Sequence, residues 1–205
     1  MIDHTIRPAV EDDRWEVAAT VVRGFGPELD GLVKDRSLME DVIRDQLDLD
    51  RFAIADVDGQ VVGVVARSDA RGRALNVRDR DFVKAFGPVR GSIAAQIFKF
   101  EFSRPLALDD GVDVVEHLTV EESHRHTGVA TALIEWMAGR PGLTALRADV
   151  PKGNEAALAC FTKAGFQDGA GPMPSVSHGR RQDSVKPPKH DMAEHLLRQV
   201  AGVGR

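Results

Sequence analysis

An apolar run from Val112 to Val120 passes through a short polar turn straight into an amphipathic pattern that begins near Gly128. A strand feeding directly into a helix restricts the chain to folds that keep such a junction at one end of a sheet. A helix start leaves backbone N–H groups unpaired and carries about half a positive charge. It can therefore bind a phosphate with no particular side chain. Gly128 lets a ligand approach the backbone, small Ala130 keeps the entrance open, and Arg125 adds a fixed positive charge. The junction lacks the Gly-Lys-Ser/Thr ending of a nucleotide P-loop and the three-glycine spacing of a dinucleotide fingerprint.

The flanking chain supplies alternating strands and helices. Ile2 to Arg7 reads as a first strand ending at Pro8. Glu11, Asp12 and Asp13 favour a helix start, and Trp15, Val17, Ala18, Val21 and Val22 form its apolar stripe. A second helix is expected from about Leu32 to Leu47, with Leu38, Val42, Ile43 and Leu47 on one side. Phe52 to Val57 and Gln60 to Arg67 flank Asp58-Gly59, a two-residue hairpin signal. Residues 68–111 read as a helical insertion, with Ile93, Ile97 and Phe100 in a helix. A helix from Gly128 to about Gly139 carries Val129, Leu133, Trp136 and Met137 inward, and Leu143 to Val150 is a strand. Asn154 caps a helix that Gly165 ends, and Phe166 opens a further strand. Residues 167–190 read as a mobile loop, and Asp191 to Val200 as a final strand or short helix. The order predicts a single α/β domain over residues 1–205, built on a mixed sheet flanked by helices.

Composition narrows the function. One cysteine, Cys160, excludes an internal disulfide and an all-Cys metal site. No apolar run is long enough to span a membrane, and no signal-peptide pattern opens the chain, so a soluble cytoplasmic protein without a membrane partner is expected. The net charge of −5 argues against nucleic acid as a partner, although nine Lys and Arg face only four acids between Arg67 and Arg104. There is no tyrosine, so no step can use a phenol.

The turn Arg125-His126-Thr127-Gly128-Val129-Ala130 resembles the Gln/Arg-x-x-Gly-x-Gly/Ala turn of the GNAT superfamily of N-acetyltransferases. Asn154-Glu155-Ala156-Ala157 through Phe161-Thr162-Lys163-Ala164-Gly165-Phe166 is similar to that family's Asn-x-x-Ala…Tyr-x-Lys-x-Gly-Phe helix. Ile6-Arg7-Pro8-Ala9, followed by Glu11-Asp12-Asp13, resembles its first strand and turn. The likeness covers residues 2–67 and 112–166. It implies an acetyl-CoA cosubstrate, no metal, an amine acceptor that is a small molecule or a peptide, and the homodimers common among similar proteins. Leu118 and Val120, with Thr119 between them, would pair with the pantetheine arm like an added strand. Amides of His126, Thr127, Gly128, Val129, Ala130 and Thr131 would hold the pyrophosphate beside Arg125. Asn154 would contact the pantetheine, and Phe161 would lie near the thioester sulfur.

The proton chemistry is the open part. An alkylamine is mostly protonated at neutral pH, so attack on a thioester needs a base. Strict alternation puts Val112, Val114, Glu116, Leu118 and Val120 on one face, and a carboxylate in that row is costly unless paired, wet or functional. Glu116 to Val120 also resembles the Glu-Asp-Leu-Tyr-Val strand of diamine-type members. Glu116 is thus either a base or water-holder, or a structural carboxylate bound to water or Arg; a β-bulge would shift the parity. The same count sends His117 to the opposite face. His124 and His126 read as solvated turn residues, and Cys160 as a packed residue. Phe161 stands where the family places Tyr and cannot donate a proton. The thiolate then leaves unaided or takes a proton from water, or the chain is a non-catalytic acyl-CoA-binding module. The acceptor is expected between the Phe25 to Asp30 loop, where Glu28 and Asp30 could attract a cation, the insertion and the loop after Phe166.

Overall fold

The computed structural model describes residues 4–25, 35–151, 153–169 and 175–179. Strands β1 (Thr5–Pro8), β2 (Phe52–Val57), β3 (Gln60–Ser68), β4 (Val112–Val120), β5 (Ala145–Asp149), β6 (Gln167–Gly169) and β7 (Ser175–Gly179) form one sheet in the order β1-β2-β3-β4-β5-β7-β6. Only β4 and β5 run parallel; every other neighbouring pair is antiparallel. The sheet is mixed, as expected. The hairpin at Asp58-Gly59 forms with both residues left-handed, φ +52° and +81°. That is the primed-turn geometry an Asp-Gly pair favours.

Helices α1 (Arg14–Gly24), α2 (Arg36–Arg44), α3 (Asp79–Phe86) and α4 (Pro88–Phe102) share an apolar cluster with Phe52, Ile54, Val64 and Ala66 on one sheet face. The other face carries α5 (Val129–Ala138) and α6 (Glu155–Lys163), packed on Ala53, Val65, Val115 and Leu146. Two cores thus form, one on each side of the sheet. The stretch between β3 and β4 holds two helices where the pattern suggested one. Ile97 is buried as expected, but Ala94, Ala95 and Phe98 make the rest of α4's inner face, while Phe100 stays partly exposed.

Four expectations change. Trp15 is 56% exposed, outside the core and with the Arg44 guanidinium 4.1 Å over its ring. On α2, Leu38 is exposed and Met39 is the buried residue; the predicted start at residues 32–34 lies outside the described residues. Ile134, not Trp136, completes the fully buried stripe of α5. The segment from Gln167 is not only loop, since β6 and β7 lie there and β7 pairs with β5 from Ala145 to Asp149. The reading of Asp191 to Val200 falls outside the described residues.

Candidate active site

The register between β3 and β4 slips within the site. Val64 pairs with Thr119 and Ala66 with Glu116, so His117 and Leu118 together face Val65. His117 accommodates the extra residue with a left-handed φ of +50°. This β-bulge reverses the parity below it and corrects the expected alternation. Leu118 and Val120 pack with Val115 on the α5 side. Glu116 and His117 both turn to the α1–α4 side, where the His117 ring lies tilted 5.0 Å from Phe102 and edge-on 5.5 Å from Phe25. His117 is therefore not on the face opposite Glu116.

The bulge also parts β4 from β5. Their pairing runs from Val112↔Ala145 to Val115↔Ala148 and extends no further. Glu121 donates its N–H to the Val62 carbonyl at 2.8 Å, toward β3. By alternation, the peptide groups of Leu118 and Val120 point the other way, into the gap left by β5. The Val120 carbonyl also accepts weakly from Arg125 Nε at 3.3 Å. Thr119 turns its side chain to α1, close against Gly24.

Beyond Val120 the chain turns through Glu122–His124 and enters α5. His126 at φ +62° and Gly128 at φ +100° are both left-handed, and Thr127 Oγ1 donates to the His124 carbonyl at 2.6 Å. No side chain caps α5. The first helical bond is Ala132 N–H to the Gly128 carbonyl, so the amides of Val129, Ala130 and Thr131 have no partner within the helix. A Cβ built on Gly128 would meet nothing within 4 Å, so the turn opens outward. Arg125 and His126 are exposed beside it. The Val129 side chain is buried, which leaves only its backbone to face a ligand.

Glu116 is fully engaged. Ser68 Oγ and the Arg73 guanidinium each donate to one of its oxygens. Arg73 also donates to the carbonyls of Glu101 and Arg104, both at 2.8 Å. Ser68 Oγ in turn accepts from Ala74 N–H at 3.0 Å. Sequence reasoning had no signal for these partners, which lie 48 and 43 residues from Glu116. His117 Nε2 is buried and has no hydrogen-bond partner. Burial pushes this imidazole down to about 4, with Glu116 opposing and Arg73 adding to the shift. It is uncharged at neutral pH.

On α6, Asn154 Oδ1 accepts from Ala157 N–H at 3.1 Å and so caps the helix. Phe161 is buried with its ring 5.0 Å from Phe166. Burial raises the Cys160 thiol, with the Thr131 hydroxyl opposing the shift; a raised thiol is a poor nucleophile at neutral pH. The basic stretch between β3 and β4 is largely paired: Arg67 with Asp69 at 2.8 Å, Arg78 with Asp81 at 2.8 Å and Lys99 with Asp79 at 2.6 Å. Glu28 and Asp30 lie outside the described residues.

Similarity to known proteins accords with this geometry. No curated protein matches the chain. Its fold is shared with an N-acetyltransferase from Staphylococcus aureus Mu50 at a TM-score of 0.59 and 16% identity, covering 85% of this chain and 100% of that one. Another acetyltransferase gives 0.55 and 16%, over 86% and 100%. An aminoglycoside acetyltransferase in complex with coenzyme A gives 0.51 and 18%, over 87% and 95%. The family model of the GNAT acetyltransferases matches residues 27–166. The chain belongs to the GNAT acetyltransferase family.

Proposed function

We propose that the protein is an N-acetyltransferase that moves the acetyl group of acetyl-CoA to an amine, on a small molecule or a peptide. The observation that carries this reading is the unpaired edge of β4 leading straight into the open start of α5. The pantetheine arm takes the place of the missing β5 pairing, on the peptide groups of Leu118 and Val120. The phosphates sit on the amides from His126 to Thr131, with Arg125 beside them. Asn154 fixes the start of α6, and Phe161 supports the wall beneath the thioester.

The amine nitrogen attacks the thioester carbonyl, its C–N bond forms, and the C–S bond breaks. A thiol ionises near ~8.5, so the thiolate is a tolerable leaving group without a phenol. Glu116 is the candidate proton acceptor. Because both of its oxygens already accept, it takes the amine proton by giving up Ser68 or through a water. A second reading, a non-catalytic acyl-CoA-binding module, draws on Phe161, which is buried and carries no acid.

Thiol release from acetyl-CoA, followed against a broad amine panel, tests the reading. Amine-dependent release is expected, and Glu116→Gln should slow it by about 10²-fold with acetyl-CoA affinity nearly unchanged. Binding without release for every amine would favour the module. An unaltered pH–rate profile in Glu116→Gln would remove Glu116 from the mechanism.

A further inference from the structure

A cavity of about 470 Å³ lies between the Asp69–Arg78 segment and the chain from Ser103 to Leu106. Its size suits a small organic molecule. Arg71, Arg73 and Arg78 all line it, against a single acid, Asp69. That acid is already matched by Arg51 at 3.1 Å and Arg67 at 2.8 Å, neither of which lines the cavity. The Asp69 charge is thus neutralised from outside, which leaves the wall with a cationic surplus.

The three arginines differ in what holds them. Arg78 is occupied by Asp81 and by the Asp45 carbonyl. Arg71 is exposed and has no ion-pair partner among the described residues. Arg73 is the informative one. Its side chain is only 11% exposed, and its Nε is buried without a partner while the rest of the guanidinium serves Glu116, Glu101 and Arg104.

We propose that this cavity binds a small oxyanion, a carboxylate or phosphate group, through Arg71 and Arg73. The occupant would share Arg73 with Glu116. Two anions on one guanidinium oppose each other, and binding free energies are coupled reciprocally. The site is separate from the α5 turn, so it answers to a different set of variants, and the inference stands whether or not acetyl transfer occurs.

Calorimetric titration of the full chain with citrate and with inorganic phosphate, at constant ionic strength, tests it. Saturable binding of at least one is expected, with the two arms separating a carboxylate site from a phosphate site. Arg71→Glu, at an exposed position, should weaken it about tenfold or more. Glu116→Gln removes the competing charge while its amide oxygen still accepts from Arg73 and its NH2 faces Ser68 Oγ, and it should tighten binding about threefold to tenfold. Gly128→Val should leave the citrate affinity unchanged. Absence of saturable binding by both anions overturns the proposal, as does an affinity indifferent to Arg71→Glu. So does an affinity that Glu116→Gln does not raise.

Discussion

Arg73→Met is expected to destabilise the fold by about 3–5 kcal/mol, the range found when one partner of a buried ion pair is removed. Arg73 and Glu116 are each about nine-tenths buried at the side chain. Without the guanidinium, Glu116 keeps only Ser68, and the carbonyls of Glu101 and Arg104 lose a donor. A domain of this kind has only about 5–15 kcal/mol in total, so the loss should show as a large drop in the urea midpoint. The double change Arg73→Met with Glu116→Met should recover most of it, because two apolar side chains leave no charge behind. A single variant as stable as the parent would show that the pair contributes nothing. A double variant no better than the single would place the loss in the carbonyls instead.

The second large effect is a pH dependence set by His117. Its folded value is about 4, against 6.5 for an exposed imidazole. Between these values the unfolded chain binds a proton that the folded chain refuses, so stability rises with pH across the window and falls as the pH is lowered from 6.5 toward 4. Below about pH 4 both states are protonated and the slope vanishes. The shift corresponds to about 2–3 kcal/mol once the partial exposure of the residue is allowed for. Asp113 and Asp149, both raised by burial, act in the opposite sense because the fold binds their protons first. Comparison with His117→Phe cancels these terms. The aromatic cage of Phe25, Phe52 and Phe102 surrounds the replacement ring, and the strain of Phe at the left-handed backbone of residue 117 is the same at every pH. The predicted result is that His117→Phe loses less stability than the parent between pH 6.5 and 4. Parallel curves for the two proteins would assign the acid sensitivity elsewhere.

Both effects arise at the one place where reading the strand from sequence goes wrong. The register of β3 slips once against β2, leaving Val62 and Val64 on opposite faces, but along β2 and the first half of β4 alternation is a sound guide. It fails at His117 because a single additional residue reverses the parity, and no residue type marks that slip. The Asp58-Gly59 turn, the Asn154 cap and the Gly165 ending are legible, since each depends on local backbone chemistry. The α5 turn is legible for the same reason, with Gly128 at a φ that only glycine adopts freely. The pairing of Glu116 with Arg73 is not, because it joins residues 43 apart across a helical excursion. Trp15 misleads in another way: it is apolar and on the expected helix, yet it is more than half exposed and meets Arg44 rather than the core.

The missing tyrosine changes meaning once the fold is known. The residue in its place, Phe161, is part of the core beneath α5 and packs on Phe166. In the proposed transfer a phenol would give way to packing, and the thiolate would rely on its own stability or on water.

The most direct test of the account is a calorimetric titration of acetyl-CoA into the parent protein and Gly128→Val. A β-branched residue does not adopt φ near +100°, so the turn must rearrange and withdraw its amides from the phosphates. Loss of two charge-assisted hydrogen bonds, at about 1.5–3 kcal/mol each, predicts affinity at least about a hundredfold weaker, with the fold retained. Equal affinity in the two proteins, or no binding by the parent, would contradict the placement of the coenzyme on the β4–α5 junction.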